Sequence, residues 1–299
     1  MRVAAFGATG PYKEYAKLYA GTLGSRCEEA HMLSHVFLKG QGTVENAELS
    51  GAMLRMYCDE KVDPLIIARV GKAIEVSKQF QYMAEWVEWK ILEITHTDGH
   101  HLPSEPELKK YANTALGLLL RPKRAGTRPF YFGKEGLQPI IGGIGKLECH
   151  LATILSSTPG TPGTPAVPGK GGKPGTKAVP ATPGKQTYAL QVLIGDTYDF
   201  DNVREGDYDR FRKRLAALLK SGDYHTFEHE YTSKLHAARW SGGTPNDIDK
   251  GHVFAGYMYA LEMAGIFKGF YWDVTLPING RLAFPVKVPP PPVYPLPEE

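Results

Sequence analysis

Residues 195–202 read Gly-Asp-Thr-Tyr-Asp-Phe-Asp-Asn and directly follow an alternating apolar stretch that predicts a β-strand. Three carboxylates (Asp196, Asp199 and Asp201) and the Tyr198 phenol fall within six residues at that strand's end. Functional groups often sit where a rigid scaffold gives way to loop. Closely placed carboxylates bind a divalent cation such as Mg²⁺ through hard oxygen donors, or raise one another's pKa. Either property suits phosphoryl chemistry, in which a metal neutralises charge and a carboxylate positions the attacking water. The plainer reading is an acidic turn, because Asp and Asn favour turns through local hydrogen bonds. In that reading Tyr198 and Phe200 plug a core.

A second constellation is His225-Thr226-Phe227-Glu228-His229, an H-x-x-E-H pattern. Residues four apart share a helix face, so His225 and His229 could hold one Zn²⁺, with Glu228 as ligand or general base. His236 falls near the same face, and Glu262 is a formal candidate for a further ligand. The plainer reading is a surface helix with polar histidines, since Tyr224, Phe227, Tyr231 and Leu235 trace an apolar stripe for its buried side.

The Asp-x-Tyr-Asp-Phe sequence after a strand resembles the signature of the colicin M family of lipid II-degrading bacteriocins. Gly142-Gly143-Ile144-Gly145, then a strand, then a second strand into the Asp-rich segment, is similar to that family's catalytic domain. The resemblance implies a Mg²⁺-dependent phosphodiesterase that cuts lipid II between undecaprenol and pyrophosphate. It assigns the site to Asp196, Tyr198 and Asp199 and covers only the C-terminal part of the chain. The family's His-Arg pair has no counterpart at the expected spacing, where Glu205-Gly206 stands, with Arg204 just before. A histidine would then come from elsewhere, such as His225 or His229, and Arg204 or Arg210 would meet the pyrophosphate. Related domains travel with type VI secretion systems. The partners implied are a lipid-linked substrate, a secretion component and an immunity protein.

The elements that must position these groups read as α+β: an N-terminal helical region, then a small, largely antiparallel sheet with helices. Helices are expected from Thr43 to Cys58, from Asp63-Pro64 to Leu92 (one helix, or two joined near Lys78), and from about 105 to 120 behind a Ser104/Glu107 capping box. Frequent Gly and Pro after residue 122 set a boundary near 125, dividing a helical domain from an activity domain over 126–288. Lys146–Ser156 and Thr187–Ile194 read as strands. Helices follow over Tyr208–Leu219, from Tyr224 to Trp240, and from Asp247 or Asp249 to about Ala264. Phe270–Ile278 and Arg281–Val288 read as a hairpin about Asn279-Gly280. Residues 289–299 form a Pro-rich tail with polyproline-II character.

Between the first two strands lie residues 158–185, half of them Pro or Gly and carrying four lysines without an acid. This composition builds no core and reads as an extended, disordered insert, an overgrown hairpin loop or else a linker. The 299-residue chain has a formal charge of +3. Setting the insert's lysines aside leaves the rest at about −1, so the basic surface expected of a nucleic-acid binder is missing. Cys27, Cys58 and Cys149 have no metal-type spacing and read as reduced, buried thiols. The apolar start is too short for a signal-peptide core, and no stretch is long enough to span a membrane. The expectation is therefore a bacterial cytoplasmic product, delivered to a target periplasm by a route other than a classical signal. The readings left open are a Mg²⁺-dependent hydrolase toxin, a Zn²⁺ hydrolase, and a non-enzymatic adaptor of a secretion or toxin system.

Overall fold

The computed structural model describes residues 44–97, 101–120, 144–161, 182–200, 207–237, 250–284 and 288–293. Cys27, His100, Gly142, Gly143, Arg204, Asp247, Asp249, the middle of the Pro/Gly insert and the chain's last residues lie outside the described residues. The fold is α+β. In chain order the elements are α1 (Val44–Asp59), α2 (Pro64–Glu75), α3 (Lys78–Thr97), α4 (Glu105–Leu120), β1 (Lys146–Thr158), β2 (Gly184–Tyr198), α5 (Asp207–Ser221), α6 (Tyr224–Ala237), α7 (Lys250–Met263) and β3 (Phe270–Phe284).

Local chemistry accounts for the helix ends. Asp63 accepts the Leu65 N–H at 2.9 Å, and Pro64 occupies the first helical position of α2. Of the two readings of this stretch, two helices joined near Lys78 is the one found, because Ser77 caps a new start by accepting the Phe80 N–H at 3.1 Å. Glu107 accepts the Ser104 N–H at 2.8 Å and its hydroxyl at 2.7 Å, the capping box expected at α4. Asp223 caps α6 through the Thr226 N–H.

The chain forms two compact units, each assembled from separated segments. One unit contains α3, α4, β1, residues 184–194 of β2 and residues 275–284 of β3. The alternation of β2 turns Tyr188, Leu190, Val192 and Ile194 inward, all fully buried. They meet a core that includes Leu276, Ile278 and Leu282 of β3, with Val87 and Ile91 of α3 and Leu108, Ala112 and Leu116 of α4 among its buried residues.

The sheet order is β1-β2-β3, so β1 and β3 are its edges. Helix side chains cap both edges. Asn113 of α4 accepts the Cys149 N–H at 2.8 Å and donates to the Cys149 carbonyl at 3.1 Å, standing in for a neighbouring strand. Glu105 accepts the Ile154 N–H at 2.9 Å, and Glu88 of α3 accepts the Arg281 N–H at 2.8 Å. Such capping suppresses the pairing with other chains that an open edge invites. Cys149 is a free thiol, fully buried as expected, and burial pushes its pKa up.

The expected hairpin about Asn279-Gly280 is corrected: β3 is one continuous strand through both residues. Gly280 is there for close approach and not for a turn. A Cβ at that position would lie 2.3 Å from Cζ of Tyr188, whose ring covers the glycine from the adjacent strand. Pro277 is tolerated because β3 is an edge strand.

β1 and β2 are hydrogen-bonded neighbours, and pairing continues past β1 to the Thr161–Thr182 antiparallel bridge. The Pro/Gly insert therefore joins two adjacent strands, as the hairpin-loop reading expected, and ladder structure reaches into both of its ends.

The other unit contains α1, most of α2, α5, α6, α7, residues 195–200 and residues 270–274 of β3. Its core is Leu54 and Tyr57 of α1, Leu215 and Leu219 of α5, Phe227 and Tyr231 of α6, Val253, Tyr257 and Leu261 of α7, with Ile266 and Phe267 beyond. Gly265, at φ 75°, ends α7 in the left-handed conformation and starts the turn into β3. The aromatic run expected to form core does so at Tyr257, Phe267 and Trp272, while Tyr271 is 51% exposed.

Candidate functional site

The Asp-rich segment does not begin after the strand, as the sequence suggested: β2 runs on through Tyr198. Cross-strand contact with β3 keeps the backbone extended there. Tyr198 stacks on Phe270 with ring centroids 5.4 Å apart and an interplanar angle of 20°. Asp196 and Tyr198, two apart on a strand, share a face. Asp199 is the first residue beyond the strand, and both carboxylates are half-buried.

Three features position this strand end. Gly145, just before β1, donates its N–H to the Gly195 carbonyl at 3.1 Å. A Cβ on Gly145 would lie 2.5 Å from Oδ1 of Asp196, so a side chain there would push that carboxylate out of its present place. The same Oδ1 accepts the Thr197 N–H at 2.8 Å. Farther along, Glu262 of α7 accepts the Phe200 N–H at 3.0 Å through Oε2 and the Gly269 N–H at 3.1 Å through Oε1. One carboxylate thus ties the end of β2 to the start of β3. Aromatic packing adds the third restraint: Tyr57 of α1 lies 5.9 Å from Tyr198, 5.2 Å from Phe200 and 5.5 Å from Phe267, centroid to centroid.

Glu262 was the residue whose role the sequence hid. It was a formal candidate ligand for zinc, and both of its oxygens instead hold backbone N–H groups. Its position at the last turn of a helix, just before a Gly-bounded entry to a strand, was the signal available.

The H-x-x-E-H segment lies on α6, as expected. His225, His229 and His236 are on the solvent-exposed face, while Phe227 and Tyr231 are fully buried. Glu228 lies at the margin of the buried face. Its Oε1 is enclosed and has no hydrogen-bond partner among the described residues, and burial pushes its pKa up to about 7. Glu230 next along pairs with Arg214 of α5 through the guanidinium. α6 therefore presents His225, His229 and His236 outward and leaves Glu228 facing partly inward. Leu235 of the expected apolar stripe is outside the described side chains.

Among the described residues, no group of three or more His, Cys, Asp and Glu side chains is gathered as a metal cage would require. Asp196 and Asp199 offer hard oxygen donors of the kind Mg²⁺ takes, one or two at a time, alongside substrate phosphates and water. His225 and His229 offer the nitrogen donors that Zn²⁺ takes. Arg210 is exposed at the start of α5, and Arg204 lies outside the described residues.

Comparison with known proteins returns no matching family model, no matching curated protein and no matching solved structure. Among the described residues no helix is long and apolar enough to cross a membrane.

Proposed function

We propose that the chain is an antibacterial effector that hydrolyses a lipid-linked pyrophosphate of the cell-wall precursor type, with Mg²⁺ as cofactor. The observation that carries this reading is the Glu262 clamp. It fixes a strand end bearing Asp196, Tyr198 and Asp199, with both carboxylates half-buried. In this reading Asp196 and Asp199 hold the cation or accept a proton from water, and Tyr198 positions the substrate. Arg204 or Arg210 meets the pyrophosphate charge. Water attacks the lipid-side phosphorus and gives up its proton to a carboxylate. The P–O bond to the lipid alcohol breaks, and the departing alkoxide takes a proton from His225 or His229. When bound, Mg²⁺ supplies charge neutralisation at the phosphoryl oxygens. The likeness of Asp-x-Tyr-Asp-Phe to the colicin M signature supports the substrate class.

A second reading is a Zn²⁺ hydrolase using His225, Glu228 and His229, favoured by the outward pairing of the two imidazoles four residues apart. The inward lean of Glu228 is what this reading must overcome.

The test is expression in the periplasm and, separately, in the cytoplasm of a susceptible bacterium, with Asp199→Ala and His225→Ala alongside. We expect lysis from the periplasm only, abolished by Asp199→Ala at unchanged protein level. Lysis lost with His225→Ala but kept with Asp199→Ala would transfer the assignment to zinc. Absence of any growth defect from either compartment would leave a non-enzymatic adaptor as the better account.

A further inference from the structure

Beyond β3 the chain reads Val288-Pro-Pro-Pro-Pro-Val293. It forms neither helix nor strand, and it lies in the same compact unit as α3. Four consecutive prolines fix φ near −65° and exclude helix for the residue before each, which leaves polyproline II as the accessible conformation. That helix makes no internal hydrogen bonds, so its carbonyls are open to donors from outside.

One such donor is present. The Trp89 indole N–H donates to the Pro289 carbonyl at 2.8 Å. Trp89 does not stand alone, for its ring centroid lies 5.2 Å from that of Trp86, at an interplanar angle of 36°. The Trp86 indole is itself anchored to the Ala115 carbonyl of α4 at 3.0 Å. The Lys90 ammonium sits 5.5 Å from the Trp89 ring centre. Val87 and Ile91, on the other side of α3, are fully buried. α3 thus turns one face to the core and presents two indoles, one of them anchored, beside the end of β3. Glu88 bonding to Arg281 and His96 edging Phe284 hold that strand along the helix.

Paired aromatic rings with an indole donor to a proline carbonyl are the elements by which proline-rich segments are recognised in general. Polyproline II binds such surfaces well because it is already ordered. The chain's own segment is a surface strap and not a core element. Pro289, Pro290 and Pro291 are exposed, Pro292 is half-buried and Val293 is 89% exposed.

We propose that the Trp86–Trp89 face of α3 is a docking surface for polyproline II, covered in cis by residues 288–293 and available to a proline-rich peptide of a partner when that strap lifts. The tether makes the cis segment a competitor at high effective concentration. A partner peptide therefore binds with an apparent affinity reduced by the fraction of time the strap is off.

The test uses the full-length chain with ¹⁵N label and follows the indole N–H signals, with Trp86→Phe and Trp89→Phe assigning the two resonances. Wild type is compared with a variant in which Pro289, Pro290, Pro291 and Pro292 are each replaced by Gly. Both are titrated with the synthetic peptide Val-Pro-Pro-Pro-Pro-Val and with a control in which its prolines are alanines. The strap variant should shift the Trp89 signal, and the proline peptide should return it toward its wild-type position. The peptide should bind the strap variant about tenfold more tightly than wild type, as displacement of a mostly docked strap requires. The alanine peptide should leave the signal in place, and Trp89→Phe should lose peptide binding while melting as wild type does. An unmoved Trp89 signal in the strap variant, or equal binding of the proline peptide to wild type, strap variant and Trp89→Phe, overturns the proposal.

Discussion

At the scale of single residues, the candidate chemistry divides by how each side chain is held. Asp196, Tyr198 and Asp199 could be picked out from residue type and spacing alone, because carboxylates crowded at a strand end are conspicuous. Glu262 could not be assigned its role, because a place at the last turn of a helix before a glycine-bounded strand entry does not say which backbone N–H groups its two oxygens will meet. Glu228 was legible as part of H-x-x-E-H, but its partial enclosure depends on which side of α6 faces the core. That enclosure has a consequence for stability. With burial holding its carboxyl near 7 in the folded chain against an ordinary 4.5, Glu228 stays protonated when the unfolded chain has already released its proton. A raised carboxyl pKa means the folded state binds more protons than the unfolded one between those values, so stability falls as pH rises from about 4.5 to about 7 and levels off above. Glu228→Gln should remove that decline. Because solvent still reaches part of the group, the gain at pH 8 should be on the order of 1 kcal/mol, or about 2–4 °C in Tm. Melting curves at pH 4.5 and pH 8 decide it: a variant whose Tm falls with pH as steeply as wild type's would show that Glu228 is hydrated when folded.

At the scale of elements, helix starts were readable because their determinants are local. Asp63-Pro64 and Ser104 with Glu107 each lie within four residues of the groups they satisfy. The Asn279-Gly280 pair was misread for the opposite reason. Asn-Gly favours a two-residue hairpin turn when nothing else bears on it, yet here the glycine answers to Tyr188, far away in sequence on the neighbouring strand. The ring fills the space a side chain would take and so restores packing over an otherwise bare backbone position, the pairing known as aromatic rescue. Gly280→Ala should therefore destabilise the chain even though alanine is the better strand residue. Tyr188 is fully buried and has no open side to move toward, so the cost should be about 1–3 kcal/mol, as for other overpacked sites. Urea denaturation of Gly280→Ala, Tyr188→Leu and the double variant tests the mechanism. Contact between the two predicts that the double variant loses clearly less than the sum of the single losses. Strict additivity would mean the glycine is required for some other reason.

At the scale of the whole molecule, chain order and compactness part company. β2 and β3 each divide their residues between the two units, as the helices before residue 120 do between them. Hydrophobic periodicity finds elements but not which of them pack together, because any apolar stripe can be buried against any other. Pairing of β1 with β2 was nonetheless foreseeable, since the two strands flank a segment unable to build structure of its own. The Thr161–Thr182 bridge now gives that segment a defined closure point. Both threonines exchange backbone bonds, at 3.0 Å and 2.9 Å, and Ser156 meets Thr187 at 2.6 Å a few residues below. The ladder therefore defines strand register up to Thr161 and Thr182. Replacing residues 162–181 by a four-residue Gly-containing turn should leave the fold intact and raise stability slightly. Closure entropy grows only with the logarithm of loop length, at about 0.6 kcal/mol per doubling, so the shortening is worth about 1 kcal/mol. Thermal unfolding and amide-exchange protection of β1 and β2 are the measurements. A Tm equal to or a few degrees above wild type, with the strand amides still protected, is the expected result. Loss of β1 protection would mean that the insert itself holds the strand in register, and the reading of residues 162–181 as a passive connection would have to be given up.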